Sequence, residues 1–264
     1  MSLTTLSPSV YRAALRREAT TTLHNRFVQV FALVAWTGSG AVALLSGRAE
    51  AVPYGLLLLF LYLVPLFGLL VGVSAAHEET EERAFLWSQP VPRALFVLSK
   101  AVTLAGALTA VLLGALLAGA AAGAGAGALA LLGGLGTGLV LVSVSAGLAV
   151  GQYTTSPARG LMVALVVWGG AFALYDAVAL ALSGLDVTQQ LPALWVGLLL
   201  LNPIDAVRLA GLFALEGVPF SVPGEAAWMA DLVAWLPAWG AALTGGWTAG
   251  LLALACRRLR GLDL

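Results

Sequence analysis

Charge is scarce in this sequence. Of 264 residues, 13 are basic and 13 acidic, 10% of the chain, against roughly 25% in an average soluble domain. They cancel to a net charge of zero, which removes the electrostatic basis for binding nucleic acid. The one lysine, Lys100, follows Phe96-Val97-Leu98-Ser99 and not a glycine-rich run, so no Walker A loop can cradle nucleotide phosphates here. His24 and His77 are the only histidines, too few for the ligand set of a catalytic zinc. The single Cys256 cannot close an internal disulfide; next to Arg257 and Arg258 it reads as a packed thiol facing a reducing compartment. Soft copper(I) wants thiolates and thioethers, and the apolar stretches offer only Met162 and Cys256, with Met229 near one end. Neither a catalytic residue set nor a metal site is expected.

Apolar residues make up 60% of the chain, and the mean hydropathy is +0.96. Lipid is the solvent this composition implies. A membrane span needs about 20 mostly apolar residues, and six stretches qualify: 27–45, 54–74, 95–118, 129–150, 160–182 and 232–256. Within lipid every backbone group must be paired inside a helix or a closed barrel, and nothing here alternates apolar with polar. The expected fold is therefore all-α, a single polytopic domain over 1–264. Ala49-Glu50-Ala51 mimics a signal cleavage site, but the apolar run before it exceeds a signal core of about 7 to 15 residues, so the first stretch reads as a retained anchor.

Basic residues set the orientation. With both termini in the cytoplasm of a bacterial or archaeal inner membrane, eleven of the thirteen lie inside and only Arg48 and Arg208 outside. A seventh span between 184 and 228 would expel Arg257, Arg258 and Arg260. Two apolar pieces there, broken at Asn202-Pro203, are ten or eleven residues long, and at about 1.5 Å per residue each reaches half-way across the bilayer core. They are expected to form an outer re-entrant hairpin. Residues 7–26 carry Arg12, Arg16, Arg17 and Glu18 among apolar side chains and predict an elbow helix along the inner leaflet, capped by Ser7 with Pro8 at its first position. Glycine and alanine crowd residues 114–138, with small-xxx-small spacings at Gly123/Gly127 and Gly134/Gly138, and again at Gly147/Gly151. These predict close helix packing.

The densest charge lies in the loop over 75–94. Glu78-Glu79 with Arg83, and His77-Glu78, each mimic a metalloprotease motif, but the histidines that would hold the metal are missing. Glu78, Glu79, Glu81 and Glu82 suit a helix N-terminus, Phe85, Leu86 and Trp87 give an apolar face, and Pro90 ends the helix. Such a helix, exposed, wants a partner. Asp176, several residues inside the end of the fifth stretch, is expensive in lipid unless paired or wet and is a functional candidate. Asp205 and Arg208, three apart, share a helix face.

The run from Glu78 through Arg83, Phe85-Leu86-Trp87, Ser88-Gln89-Pro90-Val91-Pro92-Arg93 and then Lys100 resembles the coupling segment of ABC-2 type permeases. This resemblance implies that Glu78 through Arg93 form a coupling helix docking in a groove of a separate ATPase, which would hold ATP and Mg; this chain would hold no cofactor. Tyr175-Asp176, Asn202-Pro203-Ile204-Asp205, Arg208-Leu209 and Glu216-Gly217 are similar to the NosY branch of that family, the permeases of nitrous-oxide reductase maturation. That implies a homodimer, a periplasmic maturation partner, and a gate or pathway role for Asp176, Asn202, Asp205 and Arg208. Copper-site maturation is then the expected setting, with conformational work or a sulfur-containing cargo more plausible than copper-ion flux. A generic exporter of a lipid, glycan or drug, and a carrier needing no ATPase, stay open as alternatives.

Overall fold

In the computed structural model the residues described are 8–78, 93–185, 192–216 and 227–260. Among them are ten α-helices, with a short 3-10 turn at Ala49–Ala51. A first helix, α1 (Pro8–His24), breaks at Asn25 and gives way to α2 (Arg26–Leu45). Asn25 is extended, and its Oδ1 accepts the Phe27 N–H at 2.9 Å, which starts the new helix by satisfying an orphan donor of its first turn. The elbow expected over 7–26 is thus a helix that stops two residues earlier. Next come α3 (Val52–Glu78), α4 (Arg93–Ala121) and α5 (Ala126–Tyr153). Ser156 caps α6 (Pro157–Gly169), which has proline at its first position, as the missing N–H of proline allows. A π-turn over Gly170–Leu174 joins α6 to α7 (Tyr175–Ser183). Then α8 (Pro192–Leu201) and α9 (Pro203–Glu216) flank Asn202, and α10 (Ala227–Arg260) closes the chain.

Among the described residues six helices are long and apolar enough to cross a membrane: Arg26–Leu45, Ala49–Glu78, Ala94–Ala121, Ala126–Tyr153, Pro157–Ser183 and Trp235–Leu259. Each contains or closely overlaps one of the six stretches read from sequence, and the chain is a multi-pass membrane protein. The centre of the bundle is the parallel pair α3 and α5. Helices α2 and α4 pack together on one side of it, α6 lies on α3, and α10 lies on α5 with α9 tucked between.

Small residues hold that central pair together. A Cβ placed on Gly72 would lie 2.7 Å from the Val144 carbonyl oxygen and 2.8 Å from Gly147 Cα, and one on Gly151 would meet Ala76 Cβ at 2.5 Å. Gly68, Gly72 and Ala76 on α3 therefore face Ser143, Gly147 and Gly151 on α5 backbone to backbone, the close approach that replaces hydrophobic drive in lipid. Of the spacings singled out in sequence, Gly147/Gly151 lies on this seam. Gly127 and Gly134 have nothing within 4 Å, and Gly123 sits at φ +84° in the α4–α5 turn, a left-handed conformation that glycine adopts without a Cβ clash. Cys256 packs with Val97, Ala149, Ala255 and Leu259.

Candidate functional site

Two polar constellations interrupt the apolar bundle, one at the C-terminal end of α3 and one beside its middle. The first lies where α1 meets the ends of α3 and α4. Glu18 on α1 and Lys100 on α4 are both buried and stand 3.7 Å apart, and Lys100 Nζ also donates to the Ala75 carbonyl at 2.7 Å. One turn before α3 ends, Ser74 Oγ donates to Glu78 Oε1 at 3.2 Å, and Asn25 Nδ2 donates to the same oxygen at 2.9 Å. Asn25 thus spends its acceptor on capping α2 and a donor on the last residue of α3. On the far side of α3, His77 Nε2 lies 3.1 Å from Thr154 Oγ1 at the end of α5. The result is a clamp: Asn25, at the break after α1, holds Glu78 at the end of α3, and Glu18 on α1 holds Lys100 two turns into α4, on either side of the acidic segment.

Glu78 is the one coupling-segment residue whose side chain is described. Glu79, Glu81, Glu82, Arg83, Phe85, Leu86, Trp87, Ser88, Gln89 and Pro90 lie outside the described residues, and Arg93 enters only as the first residue of α4.

The second constellation gathers Asp176, Asn202, Asp205 and Arg208, which sequence had placed on three separate segments. Arg208 grips Asp176 with two parallel bonds, Nη1 to Oδ2 at 2.8 Å and Nη2 to Oδ1 at 2.9 Å, the fork geometry that favours arginine over lysine. Its Nη2 also pairs with Asp205 Oδ1 one turn back on α9. Asp205 is 2% exposed, so its carboxylate depends on these neighbours for solvation. Asn202 supplies the rest. Its Nδ2 donates to Asp205 Oδ2 at 2.8 Å and to the Ala171 carbonyl at 2.7 Å, while its Oδ1 accepts the Ile204 N–H at 3.1 Å. Asn202 therefore caps α9, with Pro203 at the first position and Asp205 in the first turn, where a negative charge suits the helix dipole.

The Ala171 carbonyl belongs to the π-turn. One residue inserted into the ladder there displaces a turn of carbonyls, and Asn202 takes up one of them. The last carbonyls of α8 find side-chain donors in the same way. The Tyr175 hydroxyl donates to Leu198 O, and Trp247 Nε1 donates to Leu201 O at 3.1 Å, meeting the need of unpaired groups at a helix end.

The break at Asn202 is deep. The cleft at this break is also lined by Pro65, Leu139 and Trp247, each at or beside the midpoint of its apolar span. Further along α9, Gly211 abuts Leu57 near the start of α3. Asn202 therefore lies at mid-bundle, and α9 runs from it toward the end where α3 begins, with the Asp176–Arg208 pair between the two.

Sequence reasoning found the four members of this cluster but missed Tyr175 and Trp247 as donors, and at the other end it missed Glu18 and Asn25. Among the described residues no group of three or more His, Cys, Asp or Glu side chains could hold a metal ion. The charges here are paired with one another and can act as a breakable electrostatic latch between α7 and α9. No family model matches the chain, and no curated protein matches it.

Proposed function

We propose that this chain is the membrane-spanning permease subunit of an ABC transporter of the ABC-2 type, driven by a separate ATPase. It works as a homodimer in a bacterial or archaeal inner membrane, with the end bearing α1, Lys100, Arg257 and Arg258 in the cytoplasm. The observation that carries this reading is the clamp at that end. A segment with four glutamates, an apolar triplet and two prolines, residues 78–92, starts at Glu78, which Asn25 holds from the α1–α2 break, and is followed two turns into α4 by Lys100, which pairs with buried Glu18 of α1. A loop that only linked two spans would need no such anchorage, whereas a loop that receives force needs stiff ends.

In this mechanism ATP closes two ATPase subunits, and their movement turns the segment between α3 and α4. Force then enters at Glu78 and Lys100 and passes to α1, α3 and α4 together. The glycine seam carries it from α3 to α5, and the latch between Asp176 and Arg208 opens or closes at the opposite end. Rigid-body motion of this kind needs discrete packed states rather than continuous deformation. The resemblance to NosY supports copper-site maturation of nitrous-oxide reductase as its setting, with a periplasmic partner.

Co-purification tests the reading. When the chain is expressed with its ATPase, Leu86→Asp or Arg93→Glu is expected to abolish the complex while the permease stays monodisperse. Recovery of the ATPase at wild-type stoichiometry from both variants overturns the assignment of the 78–93 segment.

A further inference from the structure

Four span ends meet around one polar cleft. The first span finishes at Leu45 and the second begins at Ala49, while the third finishes at Ala121 and the fourth begins at Ala126. Between these two connections lies a cavity of about 570 Å³, within the range of about 300 to 1,000 Å³ typical of small-molecule sites. Arg48, Glu50 and Tyr54 line it from the α2–α3 side, Gly123 and Gly125 from the α4–α5 turn, and Leu215 from α9. Glycine keeps the space open, since a Cβ on Gly125 would meet nothing within 4 Å.

The α2–α3 connection is a fixed turn. Gly47 stands at φ +65° and Arg48 is extended. The Arg48 N–H donates to Ser46 O at 2.7 Å, and the Ala51 N–H donates to Arg48 O at 3.1 Å, so the backbone holds residues 48 and 50 at one level. That level can be located in the membrane. Leu44 and Leu45, 85% and 84% exposed, need hydrocarbon, whereas Arg48 and Glu50, also exposed, need a polar medium. The boundary between acyl chains and headgroups therefore falls between the two pairs. Tyr54, in the first turn of α3, is of the amphipathic type enriched at that boundary. Neither the Arg48 guanidinium nor the Glu50 carboxylate has an ion pair or hydrogen bond among the described residues.

We infer that this cleft binds the phosphoethanolamine headgroup of a membrane phospholipid, with the phosphate at Arg48 and the primary ammonium at Glu50. The guanidinium fork suits a phosphate. A carboxylate can only accept hydrogen bonds, and an ammonium supplies the N–H donors that a quaternary choline lacks. One charge of each sign in the wall matches a zwitterion, whereas a purely anionic headgroup would be repelled by Glu50. The source is a lipid and not a soluble phosphoester because Leu44 and Leu45 offer acyl chains an apolar wall directly beside the charged turn. The inference rests on the cleft and the membrane spans alone and holds whether or not an ATPase drives the chain.

The test titrates the full chain in detergent micelles with phosphatidylethanolamine, phosphatidylcholine and phosphatidylglycerol of identical acyl chains, and counts bound lipids by native mass spectrometry. The ethanolamine lipid is expected to fill one site per chain roughly two- to fivefold more tightly than either of the others, about what one exposed ion pair contributes. Glu50→Gln should bring the ethanolamine-to-choline ratio to about one and raise the glycerol lipid relative to both, while Arg48→Gln should weaken all three. Gly125→Leu places a side chain where the backbone is extended, at φ −62°, and should fill the cleft and remove the preferred site at an unchanged unfolding midpoint; should the midpoint fall, Glu50→Gln decides. Equal retention of the three lipids by the wild type overturns the inference, as does an ethanolamine preference that survives Glu50→Gln. Displacement of the bound lipid by soluble phosphoethanolamine at equal concentration overturns the assignment to a lipid.

Discussion

Replacing Lys100 with methionine isolates the clamp. The substitution keeps much of the side chain's length and apolar stem while deleting the ammonium. Glu18 then keeps a buried carboxylate without this cation, and the Ala75 carbonyl loses a donor at 2.7 Å. At 3.7 Å and an effective dielectric of about 20, the charge pair is worth roughly 4.5 kcal/mol in Coulomb energy. That agrees with the roughly 3 to 5 kcal/mol lost when one partner of a buried pair is removed. Glu18→Gln removes the carboxylate charge and retains its shape. The double variant Glu18→Gln/Lys100→Met leaves no charge stranded, so it should cost well under the sum of the singles, with a coupling of about 2 kcal/mol or more. Reversible unfolding in mixed micelles, followed by tryptophan fluorescence, gives each free energy. Singles that each cost under about 1 kcal/mol and add without coupling would refute the clamp as a structural link.

Two further predictions concern the seam and the latch. Gly72→Leu drives a side chain into the Val144 carbonyl and Gly147 backbone and should cost at least the 1 to 3 kcal/mol typical of overpacking, whereas Gly134→Leu, with open space around it, should change the unfolding midpoint little. Arg208→Ala strands Asp176 and Asp205 and should destabilise by about 2 to 5 kcal/mol; Arg208→Lys should recover only part of this because one ammonium cannot fork across a carboxylate. Adding Asp176→Asn and Asp205→Asn to Arg208→Ala should restore most of the loss, and failure to restore it would show that packing, not charge, holds α7 to α9.

The spans were legible because lipid imposes a length and a polarity on every crossing, and both can be counted along a sequence. Their fine structure was less so. Asn25 reads as one more polar residue in a charged run until the cap it makes for α2 is seen, and the π-turn before Tyr175 follows from no residue preference in Gly-Ala-Phe-Ala-Leu. The seam was half legible. Gly147/Gly151 could be picked out by spacing, but the facing Gly68 and Gly72 lie in a leucine-rich run where two glycines draw little notice, and a seam exists only when two such rows meet. The glycine-rich 114–138 stretch looked more suggestive and forms no such seam with α3, because composition alone does not say which face of a helix points inward.

The charged cluster shows where scarcity itself becomes information. In the half of the chain that reaches the end of the bundle opposite α1, Arg48 and Arg208 are the only cations. A carboxylate placed several residues inside a span needs a partner more than it needs any particular neighbour, so Asp176 had at most two choices. Arg208 is the better one, since it already lies a turn from Asp205 and can fork. The same logic applies at the other end, where the only lysine of the chain starts an apolar helix and Glu18 is the only carboxylate on α1. The acceptors at Ala171, Leu198 and Leu201 have no such signature. Backbone carbonyls are present at every residue, and only the break at Asn202 and the displaced turn before Tyr175 decide which of them are left for side chains to satisfy.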